Sequence, residues 1–442
     1  MSAVTHEVPH YAVNAKLIAM IVSGAVFFGV FLSGFVIDEP APYDLYMSGL
    51  MAVWALFGLR ISRGIAPLVA LLILFDIGGL VAMTQMAELY QTPFYLAVSF
   101  FLSFTAIFYA SVTESRPDLY PLIFAAWVTG AVVTALLGIL GYFDAFPGAG
   151  IFTRYSRAMG AFQDPNVFGP FLALPAVYLL HRILAGPPRN LALLTLPLLI
   201  LVIGIFLSFS RGAWGVLVAS FALLTAALYL QSNSGRFRLK LTVMAIVAVA
   251  IVGFSVIAIL QIPGMEEFFR SRAQLEQDYD SAHFGRFARY GYGVAMALQH
   301  PLGIGALNFG RIFGEDTHDI WLKALLDYSW LGFVAFTALV LWTLAAGFRI
   351  LLRNRPWQPY LLCAYVVFVS HIGLGTIIDI DHWRHLYMLI GLIWGAIGLE
   401  RRHQRALAFS HRAGSGAPAS AATRSPQRPA TNAARPAYAP AR

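Results

Sequence analysis

Charge is what this chain has least of: only 12% of its 442 residues are Asp, Glu, Lys or Arg. A soluble protein carries roughly twice that fraction, so a water-exposed globular surface is excluded for most of the molecule. Cysteine is almost absent. The single Cys363 rules out an intrachain disulfide and any cysteine-based zinc or iron–sulfur site. No soluble segment alternates a Lys/Arg stripe with aromatics, so the formal net charge of +8 is not a nucleic-acid signal. The start, "MSAVTHEVPHYAVNAK", has no basic leader, and no small-residue cleavage site closes the apolar run after it. That run reads as a retained first span, not a signal peptide. Internal repeats are also missing, which argues against a transporter built from inverted halves.

Apolar residues are what the chain has in excess, with 59% hydrophobic composition and a mean hydropathy of +0.70. Runs of about 20 apolar residues recur, the length that crosses a bilayer as a helix. They are continuous and do not alternate, so a transmembrane barrel is excluded. The expected fold is all-α, a polytopic membrane protein of about twelve spans. These fall at roughly 15–37, 43–59, 65–84, 93–112, 119–143, 167–184, 191–209, 212–230, 241–261, 320–347, 359–377 and 384–399. The second is short, and the sixth contains Pro170 and Pro175. One sizeable loop, 262–319, precedes the tenth span. It reads as a helix over 265–279, an amphipathic helix over 283–299 ended by His300-Pro301, and a glycine-rich turn, "PLGIGALNFG". The sequence thus divides into a membrane domain over 1–400 and a basic tail over 404–442. That tail is rich in Ala, Pro, Ser and Arg, and is expected to be disordered beside anionic headgroups.

The positive-inside rule orients this arrangement. With the N-terminus in the cytoplasm, the cytoplasmic turns and tail hold 20 of the 30 Lys and Arg residues. Short outer turns such as "DEPAPYD" hold none. The ten exceptions are Arg154, Arg157, Arg211, Arg270, Arg272, Arg286, Arg289, Arg311, Lys323 and Arg384. All lie on the outer side, in four places. Arginine on the face that disfavours it points to an anionic substrate; a scatter of solvated loop charges is the bland alternative.

Three stretches carry the candidate chemistry. "LSFSRGAWG" (207–215) puts Arg211 in a tight turn at the N-terminal end of the eighth span, where unpaired N–H groups and the helix dipole favour phosphate. Snorkelling to lipid is the competing explanation. In "HFGRFARYGYG", Arg286 and Arg289 share a helix face, and Gly303, Gly305 and Gly310 follow. In "GEDTHDIWLKALLDYSWLGF", His318 stands among Glu315, Asp316 and Asp319 where the loop enters the tenth span. A histidine at the water boundary beside carboxylates can act as a general base, or simply cap the helix. One histidine with scattered carboxylates is not metal spacing, so no metal is expected. "DIDHWRHLY" (379–387) adds Asp379, Asp381, His382, Arg384 and His385 at the mouth of the last span. Asp379 and Asp381 make a D-x-D too short to stand alone. Asp76 is an intramembrane carboxylate, which signals function or a buried partner.

In this order, these segments resemble the O-antigen ligase family and its relatives, the O-antigen and exopolysaccharide polymerases. The resemblance is carried over about 191–333 by "SFSRGAWG", "GR", "HPLGIGALNFG" and "THDIWLKALLDYSWLGF", and "RAMGAFQDPNVFGPFLALP" extends it upstream. Two positions depart from the family pattern. Asp319 stands where Asn is usual after the histidine, and Ser329 where the first Gly of a Gly-x-x-Gly usually falls. The resemblance implies a GT-C-like, inverting, metal-independent glycosyltransferase with no cofactor. It implies a donor glycan on undecaprenyl pyrophosphate and an acceptor hydroxyl on lipid A–core (ligase) or on a second lipid-linked glycan (polymerase). The expected setting is the bacterial inner membrane, with both termini cytoplasmic and a periplasmic active site. By the same resemblance, His318, Arg211 and Arg286 would be catalytic, and Arg289, Arg384, Arg157 and Asp319 would contact substrate. Nothing in the chain separates ligase from polymerase cleanly; the moderate size of the loop leans to ligase.

Overall fold

The computed structural model describes residues 10–57, 60–261 and 286–415. Helices dominate. In chain order they are α1 (His10–Leu32), α2 (Pro42–Leu56), α3 (Ala66–Met83), α4 (Thr92–Ser115), α5 (Leu119–Tyr142), α6 (Pro165–Phe171), α7 (Ala173–Ala185), α8 (Leu191–Leu207), α9 (Arg211–Gln231) and α10 (Gly235–Leu260). After the loop come α11 (Arg286–Gln299), α12 (Asn308–Phe313), α13 (Ile320–Asp327), α14 (Ser329–Leu351), α15 (Gln358–Gly375) and α16 (Arg384–Ser415). A two-stranded antiparallel hairpin, β1 (Thr153–Arg154) with β2 (Arg157–Ala158), lies between α5 and α6.

Each of the twelve apolar runs is helical, and seven helical units among the described residues are long and apolar enough to cross a membrane by length and composition. The chain is an all-α polytopic membrane protein. Several starts follow sequence rules: Pro sits in the first turn of α2, α3, α4, α6 and α15, where its missing N–H costs nothing. The sixth run breaks into α6 and α7 at Leu172, between Pro170 and Pro175, as those prolines foretell.

Three expectations need correction. The tenth run is not one span: α13 stops at Asp327 and α14 restarts at Ser329. The stretch expected as a glycine-rich turn after His300-Pro301 contains the short helix α12. The tail does not lose structure at 404, because α16 continues helically to Ser415; residues 416–442 lie outside the described residues. So does the expected helix over 265–279, whereas the second loop helix is present as α11.

The core is a buried cluster drawn chiefly from α4, α5, α7, α15 and the first half of α16. From Trp383 to Glu400 every residue of the α16 region is buried, so that segment is surrounded by protein, not lipid. Side chains such as Leu193, Leu196 and Phe254 are instead exposed, the pattern of a lipid-facing surface.

The most extensive helix pair among the described residues is α3 with α14. Its closeness depends on glycine. A Cβ on Gly78 would stand 2.2 Å from the Tyr328 carbonyl oxygen and 2.5 Å from the Gly332 nitrogen. Small residues let membrane helices approach backbone to backbone in this way. Tyr328 is thereby wedged in place, its ring stacked on Phe75 at 4.0 Å. The chain turns there through Ser329, whose φ of +63° is left-handed. The turn needs a backbone that L side chains resist, and glycine would adopt it without strain. The Ser329 hydroxyl is buried and has no hydrogen-bond partner. Ser329→Gly should therefore stabilise the protein by about 1 kcal/mol, through relief of strain and of an unmet hydroxyl. Thermal unfolding in detergent checks this; an unchanged or lower midpoint would count against it.

Candidate functional site

The site is built on the loop that leads into α13. Gly314 (φ +84°) and His318 (φ +51°) are both left-handed and bracket a tight path for Glu315, Asp316 and Thr317. The Tyr290 hydroxyl of α11 donates to the His318 carbonyl at 3.2 Å and ties loop to helix. Asp319 caps α13: its Oδ1 accepts from the Leu322 N–H at 2.8 Å. Asn would cap as well, so this departure from the family pattern preserves the local fold. Burial raises the Asp319 carboxyl above the usual range, against the pull of backbone N–H groups. This geometry makes Asp319 a helix cap, the role its Oδ1 fills in the structure.

The His318 ring is one-third exposed and sits between two carboxylates. Nε2 is 3.9 Å from Glu315 Oε2, and Nδ1 is 3.8 Å from Asp379 Oδ2. Glu315 Oε2 also lies 2.7 Å from Arg289 Nη1. Arg289 is only 3% exposed, and its Nε has no hydrogen-bond partner. A buried guanidinium with donor capacity to spare, next to a histidine at the surface, suits an anion and a hydroxyl on the same substrate. The backbone of Arg286 opens α11, but its side chain lies outside the described residues.

Beneath the histidine lies an ionic cluster. Lys323, 2% exposed, pairs with Asp316, with Asp327 Oδ2 at 3.5 Å and with Asp379 Oδ2 at 3.9 Å. Its ammonium lies 5.4 Å from the centre of the Tyr95 ring. Tyr95 donates to Asp381 Oδ2 at 2.6 Å, and Tyr328 does so at 3.3 Å. Ser99 bridges the Tyr328 hydroxyl and His382 Nε2 at 2.8 and 2.9 Å. Burial lifts the Asp379 carboxyl to about 7 against the attraction of Lys323, and Asp316 and Asp381 add to the lift. Asp381 behaves oppositely. Burial works to raise it, but Lys323, His382 and the Tyr95 hydroxyl outweigh burial and hold it below the usual range. Burial lowers His382 to about 4, so it is neutral at pH 7 despite Asp381. Among the described residues, no group of three or more His, Cys, Asp or Glu is placed to hold a metal ion.

The second arginine region is the turn between α8 and α9. Ser210 caps α9 by accepting from the Ala213 N–H at 3.3 Å, which makes Arg211 the first helical residue. Trp214 braces the turn by donating to the Ile205 carbonyl at 3.1 Å. Arg157, on β2, donates to the Ser208 carbonyl at 2.7 Å and to Asn166 Oδ1 at 2.8 Å. It thus ties the hairpin and the start of α6 to this turn. The end of α15 joins this region to the His318 loop. Gly212 packs against Leu374, and Gly375 against Ile320 and Ile380.

Arg384, expected among the substrate contacts, is committed elsewhere. Its Nε and Nη2 grip Asp44 at 2.7 and 2.6 Å, and Nη2 also reaches Glu39 at 3.2 Å. Both groups lie on the turn between α1 and α2 or the start of α2. The fork is filled from within the chain, which makes Arg384 a clamp. Of the remaining expectations, the fold brings His318, Arg289 and Asp379 together and sets Arg157 beside the Arg211 turn. Asp76 is buried on α3 with an unpartnered Oδ1. Tyr95 and Asp327 were not foreseen. Asp327 had a signal: Lys323 and Asp327 are four apart on one apolar helix, where charges persist only in pairs.

Curated proteins gave no match to this chain. Residues 196–337 match the family model described as O-Antigen ligase, a range that holds the Arg211 turn, α11, the His318 loop and the α13–α14 break. Over that stretch, about a third of the chain, the protein is similar to the O-antigen ligase family.

Proposed function

We propose that the protein transfers a polysaccharide from undecaprenyl pyrophosphate to a sugar hydroxyl of lipid A–core, at the periplasmic face of the bacterial inner membrane. One observation carries this reading: within the matched region, His318 stands at the water boundary with a carboxylate on each nitrogen and buried Arg289 one residue's reach away.

The chemistry follows from those positions. His318 Nε2 takes the proton of the acceptor hydroxyl as that oxygen attacks the donor's anomeric carbon. The bond from that carbon to the pyrophosphate oxygen breaks on the opposite face, inverting the centre. The pyrophosphate leaves with its electron pair and gains negative charge. Arg211, Arg286 and Arg289 stabilise that charge, with Arg211 aided by the N–H groups that open α9. Charge neutralisation by fixed arginines supports a reaction without a metal ion. Arg157 positions the Arg211 turn through Ser208. The outer-side clustering of arginine supports both termini being cytoplasmic.

Deleting the gene and examining the glycans tests the proposal. The expected result is lipid A–core without polymer, with long lipid-linked chains accumulating. Single-repeat chains on the core would instead make the protein a polymerase, and unchanged glycans would refute both.

A further inference from the structure

We infer that Lys323 is a positioning residue for His318: its ammonium keeps Asp379 a carboxylate at Nδ1, and so sets the basicity of the imidazole. This rests on the reading of His318 as the base.

The geometry supplies the argument. Lys323 is buried on α13 at the centre of carboxylates from three segments: Asp316 from the loop, Asp327 from its own helix and Asp379 from the turn before α16. Asp381 is the fourth acid of this floor, held by Tyr95 and Tyr328. The other titratable group nearby is His382, next to Asp381 and stacked on Tyr95 at 3.7 Å. On its far side His318 faces Glu315, which Arg289 neutralises. Four acids thus share one buried lysine. Neither oxygen of Asp327 has a hydrogen bond, so its compensation is the ammonium alone. Taking Lys323 away leaves the acids to repel one another, and they respond by binding protons. Asp379 is the one that touches His318, and it already sits near neutrality. Once protonated, it no longer favours the imidazolium that forms when His318 accepts a proton.

A lysine that only glues helices would affect folding, not titration. The test therefore compares wild type, Lys323→Met and the charge-balanced double variant Lys323→Met/Asp316→Asn in detergent. The first readout is the pH profile of transfer from a lipid-pyrophosphate glycan. The second is the pH dependence of His318 modification by diethyl pyrocarbonate, read by peptide mass spectrometry, which needs no activity. For Lys323→Met the step in rate that follows ionisation of Asp379 should move up by at least one pH unit. Its kcat at pH 7 should fall about tenfold with donor KM within twofold, and His318 should stay unprotonated to lower pH. The double variant, which buries no net charge beyond wild type, should fold and return both readouts most of the way. Superimposable profiles in all three proteins would overturn the inference, as would a folded double variant that restores neither readout. If wild type shows no transfer but His318 titrates as described, the proposed function fails and the coupling stands.

Discussion

Alanine at position 318 is expected to cut the transfer rate by about 10²–10⁴-fold, the usual range for loss of a general base. The loss should fall on kcat, with donor affinity changed little, because proton removal matters only as the transition state forms. His318 meets the requirements of the role: it is one-third exposed, where a hydroxyl can reach it, and Asp379 is 3.8 Å from Nδ1 to stabilise the charged ring. The backbone complicates the experiment, since residue 318 has a φ of +51°. Asparagine tolerates that conformation better than most residues and offers no base. His318→Asn should therefore be as inactive as His318→Ala while folding at least as well. Single-turnover transfer by purified protein measures both. If either variant runs near the wild-type rate, the base lies elsewhere.

Removing the side chain at Arg211 is expected to lower kcat by about 10²–10³-fold, as loss of one fixed transition-state donor does in other enzymes. Arg211 is the first residue of α9, so its positive charge sits at the positive end of the helix dipole. The same end of the helix favours an anion through its N–H groups and dipole. The leaving pyrophosphate is such an anion and becomes more negative as its bond breaks, so Arg211→Ala should depress kcat more than it raises donor KM. Initial rates across donor concentrations decide the matter. A variant with wild-type kcat and a raised KM would make Arg211 a docking residue with no part in the bond-breaking step.

The membrane architecture was readable because hydropathy is a local property. The apolar runs became helices, and the run that carries Pro170 and Pro175 is the one divided into α6 and α7. The break at Ser329 was not readable in the same way. Nothing local stops the apolar run there; the left-handed turn lies where the Tyr328 backbone packs closely on Gly78 of α3, a contact between distant segments. The site divides along the same line. Glu315, His318 and Asp319 lie within one short stretch, and their proximity could be read directly. Asp379 showed in the sequence only as half of a doubtful D-x-D, because its partner is a loop 61 residues earlier. Tyr95 carries no mark in sequence at all, and only the packing of α4 brings it to Asp381. The intrachain partners of Arg384 were hidden for a related reason. Its outer-side position suggested an anionic substrate, but the anions it meets are Asp44 and Glu39, from the opposite end of the chain.

That clamp bears on how the protein is made. Arg384 and Asp44 are 340 residues apart, and Tyr95 and Asp381 are 286 apart. A ribosome delivers the chain N-terminus first. The arginine turn and the His318 loop are therefore made well before Asp379, Asp381 and Arg384 exist to complete them. Until α16 is made, Asp379 is not there to face His318 Nδ1, and the turn between α1 and α2 lacks the Arg384 that grips it. A partly made chain would carry an unfinished centre, and α16 is the helix whose arrival completes it.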